Sequence, residues 1–226
     1  MSVLSPDGKS IEITGAPQKF TGPWGFKCNL SRQANVAALH TASAGSYEAV
    51  QRHTGTLENY VRREVSFRGR ALISHESVEE TATTTFLWLG THHEVYWTVA
   101  GRDVSFDVFT ETLSAVDLDD SPSGLLVVPK RGTGARVSMT LAANTLTGLC
   151  AVVVTPTTSP SLRVPSHSGK KVRGGVMWRT DSRREDGSLE RTATIASATA
   201  VTDLGFFEPD APANMEIAEK LQVKVA

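Results

Sequence analysis

The sequence predicts a mainly β protein, a single-domain antiparallel β-sandwich or jelly-roll-like barrel over residues 1–226 with one packed α-helix at about 104–115 and a few short helices. Three observations predict it. The 226 residues include 25 Thr, 21 Ser and 23 Val, small or β-branched side chains that suit a pleated, half-buried surface better than a helix. Apolar and polar residues alternate with period two along several segments. Helical spacing is clear mainly around residues 104–115.

Along the chain, Ile11 and Ile13 alternate with polar neighbours, as do Val61, Arg63, Val65 and Phe67 with Arg62, Glu64, Ser66 and Arg68. Residues 83–89 and 94–100 flank Gly90-Thr91-His92-His93, which predicts a hairpin with Trp88 and Trp97 near each other across the pair. In the 104–115 segment, Phe106, Phe109, Leu113 and Val116 recur at helical spacing, and Asp103 or Ser105 can cap the first turn. A second helix is expected within 31–53, interrupted at Gly45, where glycine costs about 1 kcal/mol relative to alanine.

Residues 124–129 read as a short strand ended by the turn Lys130-Arg131-Gly132-Thr133-Gly134. Arg136 to Leu141 alternates strictly, and 142–148 connects it to the apolar run 149–154, expected at a sheet centre or sandwiched between layers because both of its faces are apolar. Residues 155–169, with Pro156, Pro160 and Pro165, read as a Pro/Ser/Thr-rich surface loop. One strand is expected through 172–179, with Val172, Gly174, Val176 and Trp178 on one face and Arg173, Gly175, Met177 and Arg179 on the other. Residues 181–187 read as a polar loop, and extended structure resumes from Leu189 to Val201. The C-terminal segment has two readings: a helix over 215–221 capped by Asn214, or a strand through the alternating Leu221, Val223 and Val225.

Composition excludes several classes. Hydrophobic residues make up 40% and charged residues 21%, and the 23 basic and 24 acidic side chains leave a formal charge of −1, so this is neither a disordered chain nor a basic nucleic-acid coat. Cys28 and Cys150 are too few for a disulfide framework and match no zinc spacing. No basic-then-apolar leader is visible and no segment approaches the roughly 18 apolar residues of a membrane span, so a cytoplasmic or virion location and no membrane span are expected.

Motifs for chemistry are sparse. No Gly-x-Ser-x-Gly turn is present, and the six histidines make no His-x-x-x-His pair. His92-His93-Glu94 is the most suggestive cluster, although neighbours on a strand point to opposite faces, and loop solvation explains it more simply. Asp117-x-Asp119 starts like a calcium loop, but Pro122 stands where glycine is needed, and a solvated turn after the helix fits better. The glycines of 130–136 lead into a strand and not into the helix of a phosphate-binding loop. No catalytic residue, metal or cofactor is assigned.

Two sets of residues remain as candidate sites. Arg163, Lys170, Lys171, Arg173, Arg179, Arg183 and Arg184 make 163–184 cationic, a patch for an acidic partner or nucleic acid. Trp88, Trp97 and Trp178 are the large apolar surfaces from which a ligand pocket would be built, if they are not simply core.

A Thr/Ser/Val-rich chain of antiparallel strands, with long polar loops and no catalytic signature, is similar to jelly-roll and sandwich proteins of virions and phage particles. The likeness is one of composition and implies a class, a non-enzymatic structural or assembly protein that self-associates. The alternatives are a small-molecule or partner-binding β-sheet module and an enzyme whose residues, such as His93, Glu94 or Asp117, are gathered only by the fold.

Overall fold

The computed structural model describes residues 2–15, 24–32, 35–53, 60–77, 82–145, 150–159, 162–183, 187, 189–206 and 212–226. The first elements are β1 (Ser2–Leu4), β2 (Ser10–Thr14), β3 (Trp24–Arg32), β4 (Asn35–Ser43), α1 (Ser46–His53), β5 (Tyr60–Phe67) and β6 (Arg70–Ser77). The middle of the chain forms β7 (Thr83–Leu89), β8 (His93–Ala100), α2 (Phe106–Ser114), β9 (Val116–Ser121), β10 (Gly124–Pro129) and β11 (Ala135–Thr145). The remainder forms β12 (Cys150–Pro156), β13 (Lys170–Val172), β14 (Gly175–Arg183), β15 (Leu189–Ala196), β16 (Ala200–Phe206), α3 (Pro212–Lys220) and β17 (Gln222–Val225). The fold is mainly β, with 60% strand against 13% helix, and its strands pair antiparallel throughout the described register. Among the described residues, no helix is long and apolar enough to cross a membrane.

Residues 25–138 form a central unit and residues 1–24 with 139–226 a second, split unit. In the central unit the sheet runs β3-β4-β8-β7-β6-β5, so β5 is an edge. One face of this sheet carries Cys28, Leu30, Leu39, Leu72, Phe86, Trp88 and Val95, which pack against Phe109 and Leu113 of α2 and Leu125 and Val127 of β10. Each large side chain so buried contributes about 1.5–3 kcal/mol.

Helix α2 lies where the spacing of Phe106, Phe109 and Leu113 predicts it, and Ser105 caps it by accepting the Asp107 N–H at 3.1 Å. At its other end Arg68 donates to the carbonyls of Leu113 (3.3 Å) and Val116 (3.1 Å), placing a cation at the negative end of the helix. Arg68 is the first residue of the two-residue turn between β5 and β6, and with Gly69 it holds φ of 53° and 72°, the left-handed pair that such tight hairpins need.

In the split unit the strand order is β13-β14-β15-β16-β12-β11, and a separate three-stranded sheet runs β1-β2-β17. There Ile11 and Ile13 face Val225 and Val223 in register, all four buried. The apolar run predicted for a sheet centre is β12, between β11 and β16, with Val152 and Val154 fully buried.

Several local expectations are corrected. Gly45 does not interrupt a helix: it precedes α1 at φ +82°, and the residues before it form β4. The strand expected through 172–179 is a hairpin that turns at Arg173-Gly174, with Val172 opposite Gly175. Strand β11 extends to Thr145, into the expected connector, and β14 extends to Arg183, into the expected polar loop. Asp117 to Asp120 lie on strand β9, not in a turn, because each residue pairs with β10. At the C-terminus helix α3 is followed by strand β17, but the helix begins at Pro212, so Asn214 lies within it and does not cap it, and Leu221 belongs to neither element.

Candidate functional site

Two features of the surface bear on function: a cleft in the split unit and, in the central unit, the outer edge of β5, which pairs with no second strand among the described residues.

The cleft has a volume of about 400 Å³ and is lined by His167, Ser168, Gly169 and Lys170, by Met177, Trp178 and Arg179 of β14, and by Met215 and Glu219 of α3. The local sequence explains its walls. Residues 162–169, with Pro165, carry no regular structure, and the loop is pinned where the Trp178 indole N–H donates to the His167 carbonyl at 2.7 Å. Gly169 is needed there, since a Cβ would come within 2.6 Å of Val176 Cγ1 and 2.8 Å of the Met177 carbonyl oxygen. Met215 and Glu219, four apart on α3, share one helical face and close the opposite wall.

Its charges are largely spent within the protein. Lys170 Nζ lies 2.5 Å from Glu219 Oε1. The Arg179 guanidinium is bidentate on Asp181, at 2.9 and 2.6 Å, and Arg191 reaches the same carboxylate at 3.1 Å. The hydrogen bond from Arg179, against a smaller opposing effect of desolvation and with Arg191 adding to it, holds the Asp181 carboxyl at about 2. What the cleft offers is an apolar floor of two thioethers and an indole, rimmed by paired charges of both signs.

The sequence candidates therefore divide. Lys170, Arg179 and Trp178 come together in the cleft, although they were singled out for two different reasons. Lys171, Arg173, Arg163 and Arg183 are exposed outside its lining, with Arg163 donating to the Leu162 carbonyl at 2.8 Å and Arg183 to that of Gly187 at 3.4 Å. Arg184 lies outside the described residues. Trp88 and Trp97 belong to the central unit: Trp88 is buried in its core opposite Val95, and Trp97 lies opposite Phe86 with its ring against Phe109 at 6.3 Å. Sequence reasoning missed His167, Met177, Met215 and Glu219. For Met215 and Glu219 the i, i+4 spacing was the available signal.

The His92-His93-Glu94 cluster is divided by the alternation of β8. His93 Nδ1 meets Asp120 Oδ1 at 2.9 Å, and the other Asp120 oxygen accepts the N–H groups of Thr91 and His92 at 2.5 and 3.0 Å. Desolvation raises the Asp120 carboxyl, but those two N–H groups and His93 outweigh it and leave it below its ordinary value. Glu94 is fully buried, and Asp117 is exposed on β9. Around Glu94 runs a chain of rings: His40 stacks on Tyr96 at 5.0 Å, Tyr96 meets Tyr47 at 5.3 Å, Tyr47 stacks on His75 at 5.6 Å, and His75 meets Tyr60 at 6.1 Å. Burial pushes the Tyr47 hydroxyl up to about 12.

The β5 edge is the second feature. It pairs with β6 on one side through all eight residues, from Tyr60 opposite Ser77 to Phe67 opposite Arg70. The six residues between its ends are exposed, with Val61 at 45% and Val65 at 41%. The alternation along β5 is real, but the core lies under β6 and β7 and reaches β5 only at its end, where the partly buried Phe67 packs against it.

No family model matches the chain, and no curated protein sequence matches it. Among solved structures, it aligns with a crystal structure of MucB in complex with MucA(peri) over 94% of this chain and 97% of that chain, at 9% identity and a TM-score of 0.19. A superposition that loose carries no argument about fold or function.

Proposed function

We propose that this chain is a non-enzymatic structural protein that self-associates, as a component of a many-copy assembly such as a virion or phage particle. The carrying observation is the long exposed edge of β5. An unpaired strand presents a row of N–H and C=O groups that template another strand, and proteins that remain monomeric blunt such edges by shortening, bulging, charging or covering them; on β5 the edge charges include both signs, and Arg62 and Glu64 already pair at 2.8 Å. By contrast, β13, the edge strand of the split unit's larger sheet, has only three residues. Sedimentation velocity over a rising concentration series tests the proposal: a weight-average sedimentation coefficient that grows with concentration supports it, and a constant monomer value overturns it.

The cleft favours a second reading, a partner-binding module. Its apolar floor and rim of mixed charge suit a short segment of another protein carrying a methyl-rich or aromatic side chain beside an acidic one. Quenching of tryptophan fluorescence by such a peptide, lost in Trp178→Phe, supports this reading, and an unchanged signal in the wild type overturns it.

A further inference from the structure

We infer that β5 pairs antiparallel with β5 of a second copy of this chain, about a two-fold axis that passes through Arg63. This rests on the self-association reading above and adds its interface and register.

Symmetry limits the choices. In an antiparallel pair, hydrogen-bonded and non-hydrogen-bonded positions alternate, so a two-fold axis must pass where a residue faces its own copy. Centring on Arg62 sets Arg62 against Arg62 and Val61 against Arg63. Centring on Glu64 sets Glu64 against Glu64, Arg63 against Val65 and Arg62 against Ser66. Centring on Arg63 sets Arg62 against Glu64 twice and Val61 against Val65 twice, so opposite charges and matching β-branched side chains face each other.

The monomer is prepared for this register. Arg62 and Glu64 already lie 2.8 Å apart on one face of the strand, each about half exposed, at 52% and 48%. Two such pairs brought together make a ring of four alternating charges. The exposed Val61 and Val65 lie on the other face, where each gains an apolar neighbour in place of water. The like-charged pair at the axis is compensated from within each copy, since Arg63 lies 2.8 Å from Asp103 and 3.4 Å from Glu76. Arg68 fastens the C-terminal end of the strand to α2, so the edge is held in place before it meets its partner.

A contact of one strand on each side is small for a permanent interface, so the pairing should be concentration-dependent. Cysteine cross-linking under mild oxidation tests the register, with the parent chain as the background for its own cysteines. Arg63→Cys should yield a covalent dimer. Ser66→Cys should not, because its two copies would lie on the order of 20 Å apart along the strands. Cross-linking at both positions, or at neither, overturns the inference.

Charge reversal supplies the second arm. Arg62→Glu should weaken dimerisation about tenfold, and the double variant Arg62→Glu with Glu64→Arg should restore it. Failure of the double variant to recover, with its circular dichroism unchanged, overturns the register. If the wild type self-associates but Arg63→Cys does not cross-link, this inference fails and the proposed function stands. If the wild type remains a monomer at all concentrations, both fail, and the charges of β5 are guards against pairing.

Discussion

The carboxylate of Glu94, fully buried on β8, accepts the backbone N–H of Tyr47 at 2.5 Å and that of Gly45 at 2.8 Å, so a strand residue caps the N-terminus of α1. Helix N-termini leave N–H groups without intrahelical partners, and a negative charge there also opposes the helix dipole. The Tyr47 N–H is buried, whereas Gly45 is exposed and can turn to water. Glu94→Ala should therefore cost about 1–3 kcal/mol, chiefly by orphaning the Tyr47 N–H, and Glu94→Gln should cost less. Urea denaturation midpoints check both, and equal stability of Glu94→Ala and wild type would contradict the cap.

His75 sets a pH dependence. Its ring is almost fully buried between Tyr47 and Tyr60, Nδ1 has no hydrogen-bond partner among the described residues, and burial holds the imidazole below its ordinary value, with Glu48 opposing that shift and Arg62 adding to it. The unfolded chain takes up a proton near pH 6.5 while the folded one resists, so stability falls as pH drops through that value. Glu94 works in the opposite direction. Burial raises its carboxyl despite the N–H groups of Tyr47 and Gly45, and the cost of its charge is relieved as pH falls through the folded-state value. Between about pH 7.5 and about pH 5.5, wild type should lose more stability than His75→Phe. Parallel stability curves for the two would show that His75 does not titrate with folding.

Phe109 joins helix to sheet. It is fully buried, stacks on Phe86 at 5.5 Å and meets Trp97 at 6.3 Å. Phe109→Ala should cost about 3–5 kcal/mol through lost transfer energy and the cavity left behind. A loss below about 1 kcal/mol in chemical denaturation would mean that α2 is not anchored there.

Outside the cleft lining, Asp181 is the counter-charge that occupies Arg179 of the cleft. Asp181→Asn should release that guanidinium and strengthen salt-dependent retention on heparin, a polyanion probe, relative to wild type. Unchanged retention would show that the cationic residues of 163–184 do not act as one anion-binding patch.

What the sequence made legible follows from range. The β7–β8 hairpin was readable because its evidence is contiguous: two alternating runs around Gly90 to His93. Helix α2 was readable from Phe106, Phe109 and Leu113 with Ser105 before them. The burial of β5 was not, because alternation reports the polarity of side chains and not whether another layer covers them. The turn at Arg173-Gly174 was hidden because two glycines continue an alternating pattern as readily as they break it. The cleft joins Lys170 to Glu219, 49 residues apart, and the hairpin clamp joins His93 to Asp120, 27 apart, so local spacing could carry neither. The boundary between the two units falls near residue 138, within β11, where composition does not change.

Amide hydrogen exchange on the wild-type chain at low and high concentration tests the central claim most directly, because it reports both whether copies associate and where. The amides of residues 60–67 that point away from β6 should become protected as concentration rises, while those of β14 and β15 should not change. Exchange along β5 that is fast and independent of concentration would contradict it.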